Sequence, residues 1–120
     1  MPYDTHNIFA KILRGEIPCQ KIYEDDFSLA FKDIHPQAPI HILVIPKGAY
    51  CDYQDFTSQA HNDEIAGFHK AVAAVAHLAG AETSGYRLIS NSGVNAHQEV
   101  AHYHVHILGG HPLGPLLTKK

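Results

Sequence analysis

His102-Tyr103-His104-Val105-His106-Ile107 alternates imidazole and apolar or aromatic side chains without a break. An extended strand sends successive side chains to opposite faces, so the three histidines share one face and Tyr103, Val105 and Ile107 share the other. The second face suits a core, whereas each imidazole on the first carries polar atoms that need partners. Same-face neighbours on a strand stand about 6.6 to 6.8 Å apart, which lets their rings converge on one small group.

Outward from this strand, expected over Ala101 to Leu108 and stopped by Gly109-Gly110, the chain reads as alternating elements. Asn7 to Arg14 carries Ile8, Phe9, Ile12 and Leu13 on one helical face, with Asn7 as N-cap and Gly15 as terminator. Lys21 to Glu24 and Phe27 to Phe31 read as a hairpin across Asp25-Asp26. Beyond Pro36 and Pro39, Ile40 to Ile45 is a β-branched strand bounded by Pro46. Thr57 to Gly80 repeats apolar residues at steps of three and four and predicts one long helix. Tyr86 to Ser90 is a short strand, and Asn91 to Ala96 a turn-rich loop. The expected fold is α+β: about five mostly antiparallel strands, one short N-terminal helix and one long helix, with helices covering one face of the sheet.

With 120 residues, 45% apolar and 18% charged, the chain is expected to form a single domain over 1–120, its core about 7–112 and its tail 113–120. Nine basic residues are scattered against twelve acidic ones, with no basic stripe for long nucleic acid. Eleven histidines make the net charge sensitive to mild acidification. The most apolar stretch, Ala71 to Ala79, is interrupted by His77 and flanked by Lys70 and Glu82, so no membrane span is expected. Met1 to His6 lacks the basic-then-apolar pattern of a secretory leader, and Cys19 and Cys51 read most simply as reduced thiols; a cytoplasmic location is expected.

For the histidine face three readings stand side by side. It can be a wet sheet surface without a task. It can hold a metal, since neutral imidazoles two apart on a strand can share Zn²⁺, with Glu99 or a third histidine completing the set. Or one imidazole attacks an electrophile such as phosphorus while its neighbours stabilise charge.

His102 to Leu108 also resembles the His-x-His-x-His-x-x pattern of the histidine triad (HIT) superfamily, and Asn7 to Ile12, Gly15 to Pro18, Phe31 to Ile34, Pro36 to His41, Val44 to Lys47, Asn91, Gln98 to Val100 and Gly109-Gly110 are similar to its Hint branch, in the bacterial type. The resemblance implies a HIT fold and a hydrolase or transferase acting at the α-phosphorus of purine nucleotides: nucleoside phosphoramidates and aminoacyl adenylates, with no cofactor and no metal. His104 would be the nucleophile, His106 would bind phosphate oxygens, and His102 and His41 would extend the histidine network. Asp33 would hold the ribose; Phe9, Ile12, Phe31 and Ile34 would wall the base; Asn91 and Gln98 would contact the phosphate. A homodimer joined through the long helix and the strand after it is also implied. Within the same superfamily stand dinucleoside polyphosphate hydrolases and nucleotidyltransferases, and purine-nucleotide-binding regulators whose activity is incidental.

The chain departs from the family pattern at several places. Glu99 stands where many relatives have serine, which suits an amine leaving group better than a phosphate. His97 replaces a common glycine, Ala101 an aromatic residue and His111 an arginine. Cys19 lacks the second cysteine that accompanies zinc in some relatives.

Overall fold

The computed structural model describes residues 2–117. Helix α1 (Ile8–Leu13) starts where the Asn7 side chain accepts the Ala10 N–H at 2.9 Å, and ends at Gly15, whose φ of 77° is readily open to glycine. Strands β1 (Lys21–Glu24) and β2 (Ser28–Lys32) form the expected hairpin, its turn held by Asp25 Oδ1 accepting the N–H groups of Phe27 and Ser28. With β3 (Ile40–Pro46), β4 (Tyr86–Ile89) and β5 (Val105–Gly109) they make one five-stranded sheet in the order β1-β2-β3-β5-β4, every pairing antiparallel. The α+β class expected from sequence is the class observed.

The long helical stretch is two helices, α2 (Tyr53–Gln59) and α3 (Asn62–Leu78). Ala60 leaves the helical path at ψ 149°, and the His61 N–H donates to Glu64 Oε1 at 3.3 Å as the second helix begins. The first helix starts earlier than apolar periodicity suggests because Asp52 accepts the Asp55 N–H while Asp55 Oδ2 accepts the Cys51 N–H, a reciprocal cap. Caps, not periodicity, decide these boundaries.

The last strand begins at Val105, four residues later than expected. The β3–β5 register, in which Val44 faces Val105, would set Tyr103 opposite Pro46, a residue with no N–H to offer. Tyr103 instead donates its N–H to the carbonyl of Tyr50 at 2.8 Å, and residues 101–104 run beside the sheet outside its ladder.

Helices cover both faces of the sheet rather than one. On one side Ile42, Val44, Val105 and Ile107 pack with Phe56, Phe68, Val72 and Val75 of α2 and α3; Phe56 stacks on Tyr103 at 4.9 Å and meets Phe68 edge-on at 5.2 Å. On the other side Leu29, Phe31, Leu43 and Ile45 pack against Phe9 of α1. Central strands buried on both faces read as continuous apolar runs, which is why IHILVI shows no alternation. This second side carries His41, His104 and His106. Arg87 of β4 ties down the start of the tail, donating to the carbonyls of Gly114 and Pro115; of the tail 113–120, residues 118–120 lie outside the described residues. No described helix is long and apolar enough to cross a membrane.

Candidate active site

Alternation along 102–107 survives the loss of ladder pairing: Tyr103, Val105 and Ile107 enter the main core while the three imidazoles turn to the other side. His104 and His106 form one continuous row of rings with His41, which β3 delivers beside β5, and His102 lies buried next to it. His104 lies 5.1 Å from His106 and His106 lies 5.1 Å from His41, between ring centres. Phe9 meets His104 edge-on at 5.0 Å and His102 at 6.2 Å, so α1 roofs the row.

Each ring's neighbours determine which nitrogen carries its proton. His102, fully buried, lies with Nε2 2.9 Å from the Pro46 carbonyl; a carbonyl only accepts, so Nε2 carries the hydrogen and Nδ1 accepts from the Tyr3 hydroxyl at 2.5 Å. His104 donates Nδ1–H to the His102 carbonyl at 2.7 Å, leaving its Nε2 lone pair for the cavity. The Gln37 N–H donates to His41 Nδ1 at 3.0 Å, so His41 is protonated at Nε2 and donates to His106 Nδ1 at 2.9 Å. His106 therefore carries its hydrogen on Nε2. Asp33 Oδ2 lies 3.4 Å from His41 Nε2, while its Oδ1 accepts the His35 N–H.

Burial disfavours the charged form of all four rings. It pushes His102 down to about 4; His106 falls to about 4 through burial and then the neighbouring His104 and His41 rings. His104 and His41 are lowered by burial too, with Asp33 partly countering the effect at His41. At neutral pH the row is a set of uncharged imidazoles.

The row opens into a cavity of about 410 Å³ lined by Phe9, Asp33, His41, Asn91, Glu99, His104 and His106, and also by His35, Gln37, Leu43, Ala96, His97 and Val100. Of the remaining residues singled out in the sequence, His102 is buried behind His104, and Phe31 packs edge-on to Phe9 at 5.6 Å. Ile12 lines a separate hollow beside α1, and Ile34, 79% exposed, lines a broader one on the far side of Asp33. Gln98 is engaged within the loop: its Nε2 donates to the carbonyls of Cys51 and Val100 and its Oε1 accepts the Gly93 N–H. Asn91 donates to the Ala96 carbonyl. At the mouth, His97 Nε2 lies 3.0 Å from Glu99 Oε1, and His97 holds a left-handed backbone at φ 60°.

Asp33, His41 and His106 offer three donor atoms within 4.8 Å of one another, the spacing of a metal site. The tautomers argue against one there. For His41 to ligate through Nε2 its proton must move to Nδ1, where it would face the Gln37 N–H. Sequence reasoning misses Gln37, whose contribution is a backbone group, and Tyr3, which lies 99 residues from its partner His102.

An antiparallel α+β sheet bearing alternating histidines beside a cavity, backed by a histidine from the neighbouring strand, defines a protein of the histidine-triad class. The chain belongs to the HIT domain family, whose model matches residues 14–113. It is 58% identical over 117 residues to an uncharacterized 13.2 kDa HIT-like protein of Azospirillum brasilense, covering 98% of this chain and 96% of the relative. It is 44% identical over 113 residues to the purine nucleoside phosphoramidase of Escherichia coli strain K12, covering 94% of each. Among solved structures, a histidine triad protein from Clostridium difficile superposes with a TM-score of 0.86 at 40% identity, covering 97% of this chain and 100% of that one.

Proposed function

We propose that this protein hydrolyses purine nucleoside phosphoramidates and related aminoacyl adenylates at the α-phosphorus through a nucleotidyl intermediate on His104. The observation that carries this reading is the His104 tautomer: with Nδ1–H held by the His102 carbonyl, the Nε2 lone pair is the one presented to the cavity. Attack forms the Nε2–P bond as the P–N bond to the amine breaks, the electron pair leaving with the amine, which takes its proton from solvent at the mouth. The Nδ1–H···O=C bond strengthens as the ring becomes cationic. Water then forms an O–P bond and gives up a proton to solvent, the Nε2–P bond breaks, and the ring recovers its lone pair.

His106 donates Nε2–H to a phosphate oxygen as a neutral group, backed by His41, and His102 supports His104 from behind. Asp33 accepts the ribose hydroxyls; Phe9, backed by Phe31 and Ile12, flanks the base, and Ile34 borders it from beyond Asp33; Asn91 and Gln98 shape the loop over the phosphate. Glu99 faces the departing amine, where a carboxylate favours an ammonium group. The protein works as a single domain in the cytoplasm, as a homodimer; β4, an edge strand with Tyr86 and Leu88 at 40% and 50% exposure, supports pairing on that side.

The test is hydrolysis of adenosine 5′-phosphoramidate by wild type and His104→Ala in the presence of chelator, with mass spectrometry of acid-quenched wild type. Turnover that survives chelation and vanishes in the variant, with an adenylylated wild-type peptide, supports the reading. Tight nucleotide binding without turnover would replace it with a nucleotide-binding module.

A further inference from the structure

We propose that Tyr3 is a positioning residue for the nucleophile, holding the His102 ring in its orientation against the Pro46 carbonyl and, through that residue, the carbonyl that seats His104. The proposal rests on His104 being the nucleophile. Its starting point is that residues 101–104 have left the sheet ladder. Strand pairing therefore does not aim the His102 carbonyl. Side-chain and loop bonds do: His102 Nε2–H to the Pro46 carbonyl at 2.9 Å, Tyr103 N–H to the Tyr50 carbonyl at 2.8 Å, and the Tyr3 hydroxyl to His102 Nδ1 at 2.5 Å.

Among these three anchors, the Tyr3 hydroxyl is the only one that satisfies His102 Nδ1, on a ring with no solvent access. A neutral imidazole there needs one acceptor and one donor, and Pro46 supplies only the acceptor. Without the hydroxyl, a buried lone pair is left unmet, and the ring gains by turning toward another donor, which breaks the Pro46 bond. The carbonyl on the same residue then loses the anchor that directs it at His104 Nδ1.

The arm that carries Tyr3 is built to hold this place. Asp4 accepts the Asn7 N–H on its carbonyl and the His6 N–H on Oδ1, and Arg14 donates to the Thr5 carbonyl. That turn runs straight into α1, which brings Phe9 against His102 and His104. The N-terminal arm and first helix thus meet the same two rings from adjacent positions, Tyr3 by hydrogen bond and Phe9 by ring edge.

The experiment compares wild type with Tyr3→Phe in turnover of adenosine 5′-phosphoramidate and in long-range ¹H–¹⁵N spectra of the histidine side chains. Wild-type His102 is expected as the Nε2–H tautomer, with Tyr3→Phe shifting the Nδ1 resonance as that nitrogen loses its donor. The variant's kcat is expected to fall about fivefold to tenfold, the equivalent of one net hydrogen bond, with KM within about twofold. A wild-type His102 protonated at Nδ1 would overturn the proposal, and so would a variant with unchanged His102 signals and unchanged kcat per folded molecule, whatever its melting temperature. If wild type shows no turnover at all, the His104 reading fails, while the His102 spectra still decide the Tyr3 contact by themselves.

Discussion

His104 Nδ1 lies 2.7 Å from the carbonyl oxygen of His102, two residues earlier in a segment that pairs with no strand. The contact orients the ring and makes Nε2 the basic nitrogen. Burial lowers the His104 pKa below its ordinary 6.5, so the neutral form persists as the pH falls. The acid limb of kcat/KM for the phosphoramidate is therefore expected to have its midpoint below pH 6.5; a profile of initial rates from pH 4.5 to 8 checks this, and a midpoint above 6.5 contradicts it.

Stability should follow the same rings. His102 is held near 4 when folded against about 6.5 when unfolded, so between these values the unfolded chain binds the proton and the folded chain does not. The contribution is intact above about pH 6.5 and is lost as pH falls toward 4, reaching about 3 kcal/mol for this ring. Urea unfolding at pH 7.5, 6 and 5 should show the midpoint dropping, and His102→Asn should flatten the dependence.

Chelation should leave both rate and melting temperature unchanged, and added Zn²⁺ should not bind Asp33, His41 and His106 stoichiometrically, because the Gln37 N–H holds His41 in the tautomer that cannot ligate through Nε2. Calorimetric titration with Zn²⁺ is the check. Tight one-to-one binding lost in His41→Ala would show that the Gln37 contact yields.

Gln98→Leu removes three hydrogen bonds that join Gly93, Cys51 and Val100 across the loop at the cavity mouth. The expected result is a loss of about tenfold or more in kcat/KM together with faster amide exchange at Gly93, from the roughly 1 kcal/mol net of each bond. Unchanged exchange would place the loop's order elsewhere.

Gly110→Ala tests the corner at which the chain leaving β5 packs on Pro39 and Ile40, just before His41. Its φ of 92° disfavours any side chain, and a Cβ there would stand 2.8 Å from the Pro39 Cβ. Destabilisation of about 2 kcal/mol is expected from strain plus overpacking, read from a urea midpoint.

Legibility varied by kind of information. Alternating His102 to Ile107 announced two faces, and the structure places Tyr103, Val105 and Ile107 in the core as that pattern requires. The hairpin, the β3 strand and the α+β class are likewise set by local patterns and are present in the structure. What failed locally was decided by partners at a distance. Pro46 denied a ladder bond to Tyr103, shortening the last strand; the Asp52 and Asp55 cap created a helix where periodicity began later; Phe9 and Leu43 closed a second core that put a helix on each face.

In the site, residue types and spacing were enough to mark His104 and its neighbours, because period-two alternation needs no knowledge of the rest of the chain. The protonation of each ring was not, since it depends on which donor or acceptor meets each nitrogen. Pro46, Tyr3 and Gln37 come from three separate segments, and only their packing decides that His102 carries its proton on Nε2 and that His41 and His106 are hydrogen-bonded donors in series. Sequence determined which side chains could do chemistry here, through periodicity and side-chain type; tertiary structure decided which atom of each is available, because a buried imidazole takes the tautomer its neighbours can satisfy.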